Sequence, residues 1–231
     1  MWIISRIIRT ALLLVVPLLP LAVFAMATDW MPDSWLRASP RGTVADGDAF
    51  VVLAFGLRDN AAGASNEALA DWLIQNNPKL LPAIVQEGVY RALKNRESSQ
   101  PKLKVDGWAK RMPHKDGEDV NTSAACAQAA LLLQQAGYKK PVLAAHDLQL
   151  RRMVWNFESL GYSDGLIVPE MPETPFDPDS TQHWGTRSRM VWVTEELLWQ
   201  RPLMRREWWW AAGVGSLMLL GFAWAASRFR P

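Results

Sequence analysis

The stretch from His114 to Gly161 constrains the fold most. It reads as an acidic, polar loop, then an Ala/Leu-rich helix closed by Gly137. A short apolar strand, VLAA, follows and breaks off at His146-Asp147, and a second helix carries Arg151 and Arg152. Such a loop–helix–strand–helix unit buries its apolar faces only as part of a layered α/β core. It gathers polar groups at strand ends, where an open parallel sheet holds ligands.

The upstream chain has the same character. Ala49 to Gly56, AFVVLAFG, is a continuous apolar run that suits a strand buried on both faces. Asn66 is placed to cap the helix EALADWLIQ that follows. Leu81 to Gly88 reads as a second strand, Val89 to Leu93 as the start of a short helix, and Asn95 to Lys104 as an exposed polar connection. Val105 to Met112 makes a weak third strand. Asn121, Thr122 or Ser123 can cap the next helix, and Gly137 ends it. Leu148 to Leu160 is helical, Leu166 to Val168 is a last short strand, Glu170 to His183 is a long loop, and Thr186 to Gln200 is a final helix. Alternating strands and helices give an α/β fold with a parallel sheet sandwiched by helices, over residues 49–206.

Two apolar runs flank this domain. Residues 1–27 hold Arg6 and Arg9 followed by an uncharged stretch from Thr10 to Ala27. This fits a signal peptide with Ala25-Met26-Ala27 as its cleavage site. It equally fits an uncleaved transmembrane anchor, since about 17–25 residues span a bilayer. Residues 28–48 form a juxtamembrane connector. Residues 208–227, WWWAAGVGSLMLLGFAWAAS, carry no charge and are long enough to span, with 228–231 as a cytoplasmic tail. Trp208, Trp209 and Trp210, drawn from 13 tryptophans, suit an interfacial aromatic belt. The positive N-terminal flank stays on the cytoplasmic side and sends residue 28 onward across the membrane.

The formal charge is +2, but the excess belongs to the membrane flanks. Between residues 28 and 206 the basic and acidic side chains nearly cancel, so the chain offers no nucleic-acid surface. Cys126 is the single cysteine, sits among alanines and reads as a small core residue. His114, His146 and His183 are the three histidines and show no metal-ligand spacing. There is no P-loop and no G-x-S-x-G, so neither an NTPase site nor a hydrolase elbow is indicated, and no metal or cofactor is expected.

The strand ends supply Arg58, Glu87, His146 and Asp147, and the loop before the long helix brings Glu118, Asn121 and Thr122. His146 is the candidate general acid or base, with Glu118 or Glu87 as its partner. The plainer account of His146 is a hydrogen-bonded structural histidine, and of Asn121 and Thr122 a helix cap. Arg151 or Arg152 can help hold an anion at the helix start.

Over residues 49–200 the chain resembles the SanA/YdcF/ElyC-like family, a domain often tethered in the bacterial envelope. Asn121-Thr122 match the family's Asn-Thr pair at the start of an Ala/Leu-rich helix, and Arg152 matches its arginine by distance from Gly161. The family's histidine position falls on Gln149, three residues after His146; the first strand ends Ala54-Phe55-Gly56 rather than in glycines, and Gln86-Glu87-Gly88 stands for Ser-Gly-Gly. The resemblance implies a Rossmann-like sandwich, an inward-facing Arg152, and a link to cell-envelope homeostasis. Two functions are therefore expected. One is a membrane-anchored protein that binds an anionic or phosphorylated envelope metabolite, as a hydrolase or transferase. The other is a non-catalytic interaction module with membrane-protein partners.

Overall fold

The computed structural model describes residues 37–58, 61–113, 121–181, 184–189 and 192. Both apolar runs, His114, Glu118, His183 and most of the expected final helix lie outside the described residues. Within them, no helix is long and apolar enough to cross a membrane.

Four parallel strands make one sheet: β1 (Ala49–Val52), β2 (Ala83–Val85), β3 (Ala109–Arg111) and β4 (Pro141–Ala144). Four α-helices are described: α1 (Ala64–Asn76), α2 (Glu87–Ser99), α3 (Thr122–Ala136) and α4 (Asp147–Ser159). The sheet order is β3-β2-β1-β4, which is Rossmann-like. The chain steps outward from β1 to β3, then returns to place β4 on the other side of β1. At such a reversal open α/β sheets hold their ligand crevice, here beyond the carboxyl ends of β1 and β4. Val52 pairs with Val85 on one side and Ala144 on the other, so the three strands end level.

β1 is fully buried along its length, as its unbroken apolar run requires. β3 is the edge of the described sheet and exposes Lys110 and Arg111, the charged finish that discourages edge pairing. α1 packs with α2 and α3 with α4, so the helices group as a two-sided cover does. The carboxylate of Asp48 accepts from the backbone N–H of Lys139 (2.7 Å) and Lys140 (3.0 Å), tying the starts of β1 and β4 together.

Three expectations change. α2 runs on through the polar stretch to Ser99, because that stretch is its outer face. Arg96 there reaches Asp71 at 2.6 Å and Glu67 at 2.7 Å on α1. Leu166 to Val168 is no full strand: Ile167 bridges to Val142 in parallel and Val168 bridges to Arg41 antiparallel. Asn66 is not a cap either. Gly63 precedes α1 at φ 81°, and the buried Asn66 amide turns inward to the chain leaving β1. It accepts from Phe55 N–H at 2.9 Å and donates to the carbonyls of Gly56 and Ala62.

α3 starts as expected. The Asn121 side chain accepts from Ala124 N–H at 2.9 Å, and Gly137 closes the helix in the left-handed region at φ 79°. Asn121→Ala should cost about 1 kcal/mol, read from the urea unfolding midpoint; an unchanged midpoint removes the cap.

Candidate functional site

The crevice at the β1–β4 reversal holds His146 and Asp147. β4 ends at Ala144, and two residues later His146 sits at the start of α4 with its side chain fully buried. Its Nδ1 lies 3.0 Å from Asp147 Oδ1 and 3.3 Å from the N–H of Leu148. A protonated Nδ1 donates to the carboxylate, and a bare one caps the helix; one nitrogen does one of these at a time. Nε2 is buried and makes no hydrogen bond. Phe55, leaving β1, stacks on the imidazole with centroids 3.9 Å apart, and Phe176 lies 4.6 Å away.

Burial pushes the Asp147 carboxyl up, but His146, Arg37 and the Thr174 N–H outweigh it and hold it below the usual carboxylate range. Arg37 reaches Asp147 Oδ2 at 3.0 Å. The partner of His146 is therefore Asp147, the next residue, while Glu87 is engaged elsewhere. Glu118 lies outside the described residues.

Gln149 stands in the first turn of α4 and Arg152 one turn further, a spacing that puts these two on one side of the helix. Gln149 Nε2 donates to Thr122 Oγ1 at 3.3 Å, and Arg152 donates to the same oxygen at 3.4 Å. Arg152 also lies over the Trp192 ring, 4.6 Å from its centroid, a cation–π contact. Trp192 in turn meets Phe55 at 4.9 Å. Gln149 Oε1 and Trp192 Nε1 are buried without a hydrogen bond. An unsatisfied buried polar atom costs about 1–3 kcal/mol, so these two together with His146 Nε2 demand an account.

The other predicted residues do not join this group. Arg58 forks onto Asp177, with its NH2 group 2.7 Å from Oδ1 and Nε 3.0 Å from Oδ2. Asp177 is fully buried and also accepts from Ala64 N–H at 3.2 Å, at the first residue of α1. A Cβ on Gly63 would lie 2.3 Å from Asp177 Oδ2, so glycine makes room for the carboxylate. Arg58 is thus a structural clamp. Glu87, at the start of α2, accepts from Arg91 at 2.7 Å and Arg111 at 3.1 Å. Burial raises its pKa, but the two arginines outweigh that and hold it low. Asn121 is spent on its cap. Of the proposed set, the structure brings together His146, Asp147, Thr122 and Arg152.

The sequence reading missed Arg37, Gln149, Phe55, Phe176, Asp177 and Trp192 as parts of these clusters. Gln149 carried a signal, since it stands at the family's histidine position. Arg37 comes from a connector and Phe176 and Asp177 from a proline-rich loop, with no periodicity to expose them, while Phe55 ends the first apolar run and Trp192 falls in the expected final helix. Cys126 is buried in α3, and burial, only partly offset by Arg152, pushes its thiol up to about 12, which suits a core residue. Among the described residues, no group of three His, Cys, Asp or Glu side chains is placed to hold a metal. A surface groove on α2, lined by Lys94, Asn95, Glu97, Ser98 and Pro101, contains none of the crevice residues. Comparison with models of known families, with curated proteins and with solved structures finds no match.

Asp177 gives a pH test. Burial raises its carboxyl, but Arg58 and the N–H groups of Asp179 and Ala64 outweigh this and lower its pKa below the ordinary value. Its contribution is therefore present above the unfolded carboxylate pKa of about 3.9 and fades as pH falls through the lower folded value. Asp177→Asn should lower the urea midpoint at pH 7, and the gap to wild type should close below about pH 4. A gap independent of pH would remove the ion pair as its cause.

Proposed function

We propose that the chain is a membrane-anchored protein of the bacterial envelope, resembling the SanA/YdcF type. Its Rossmann-like domain binds an anionic or phosphorylated envelope metabolite, in a role in cell-envelope homeostasis. One observation carries this reading: Arg152 and Gln149 of α4 meet Thr122 at the N-terminus of α3, beside the β1–β4 crevice. A cation and a hydroxyl at the positive end of a helix suit a phosphate or carboxylate. The apolar runs at residues 1–27 and 208–227 supply the membrane attachment, and the domain between them faces the periplasm. Hydrolase or transferase chemistry would use His146, oriented by Asp147, as general acid or base.

A second reading, a non-catalytic interaction module in a membrane assembly, draws on a different observation. Arg58 and Glu87, which chemistry at the strand ends would use, are taken up in internal ion pairs. The full chain in detergent micelles, titrated with inorganic phosphate in a calorimeter, separates the two. Under the metabolite reading wild type binds, and Arg152→Gln weakens binding at least tenfold with its melting temperature little changed. Absence of phosphate binding in wild type favours the module. Where phosphate binds, His146→Ala tests catalysis: binding kept and the cellular phenotype lost assigns it a chemical role, and an unchanged phenotype removes that role.

A further inference from the structure

Among the buried atoms around the crevice that make no hydrogen bond are His146 Nε2, Gln149 Oε1 and Trp192 Nε1. Each residue is more than nine-tenths buried. Phe55 touches both the His146 and the Trp192 rings, while Arg152 touches Trp192 and shares Thr122 with Gln149. The unsatisfied atoms therefore belong to one cluster.

Their chemistries differ. The indole N–H only donates, the amide oxygen only accepts, and the imidazole Nε2 does whichever its proton permits. A phosphate dianion or carboxylate only accepts, so it cannot serve Gln149 Oε1. A hydroxyl group both donates and accepts, so one kind of group serves all three. With the Gln149 amide turned the other way, its oxygen accepts from the Thr122 hydroxyl and its N–H faces the cluster, where a ligand hydroxyl still serves it by accepting. The walls are aromatic, and the C–H face of a polyol ring packs well against such rings.

We infer that the crevice takes a phosphorylated polyol, a sugar phosphate in class: its anionic group lies at Arg152 and Thr122, and its hydroxyls at His146, Gln149 and Trp192. This rests on the anion reading above. The test titrates the full chain in detergent micelles with inorganic phosphate, glucose 1-phosphate, glucose 6-phosphate and glycerol 3-phosphate. At least one polyol phosphate should bind tenfold or more tightly than phosphate. Trp192→Phe, which keeps a ring and removes the N–H, and Gln149→Leu should each cut the ratio of polyol-phosphate to phosphate affinity severalfold. Equal affinity for phosphate and all three polyol phosphates overturns the inference and leaves the anion reading standing. An advantage that survives both substitutions also overturns it, and the three atoms then face ordered water. If phosphate and polyol phosphates all fail to bind wild type, both readings fall together.

Discussion

β1 is hydrogen-bonded on both edges and covered on both faces, so the chain leaving its carboxyl end is already out of water. Each peptide group there needs a partner from within the protein. Gln86 accepts from Ala54 N–H at 2.7 Å, Asn66 accepts from Phe55 N–H, and the Ser180 hydroxyl and Thr181 N–H meet Leu57. The loop of residues 170–181 is held against this turn for the same reason, with Asp177 as its anchor. A central strand ending inside the protein thus dictates which side chains stay free for a ligand. Arg58, Asn66 and Gln86 are consumed in making the turn, and the adjoining end of β4 keeps unspent polar atoms.

The sheet and its helices were legible because their signals are local. A continuous apolar run marks β1, glycine ends α3, and three-residue spacing marks the inner side of α4. The cap at Asn121 needed only knowledge of the next three residues. Asn66 misled for a physical reason. Its type and position before an apolar helix match a cap, but its partners are Phe55, Gly56 and Ala62, fixed by where β1 ends in space. Arg58 and Glu87 were placed at the right strand ends, while the charges that neutralise them lie elsewhere. Asp177 is 119 residues from Arg58, and no periodicity links the two.

His146 and Gln149 serve different parts of one cluster. His146 stands just before α4, outside the helical dihedrals, where the chain leaves β4. There it meets the Asp147 carboxylate and the Phe55 ring, while Gln149, inside the helix, sets its amide against Thr122 with Arg152 one turn further.

The cluster is assembled from distant parts of the chain. Arg37, at the start of the described residues, reaches Asp147, and Trp192, at their end, packs on Phe55 and Arg152. Arg41 adds a 2.9 Å pair with Glu158, and its backbone bridges to Val168. Segments outside the minimal βα framework therefore finish the polar edge that the framework leaves open. A sheet with its four helices is enough to place His146 and Arg152. Fixing the charge on Asp147 and closing the aromatic wall takes the flanks that lead toward the two apolar runs. Site and flanks are thus one structural unit, and anything that repositions Arg37 or Trp192 acts directly on the surroundings of His146.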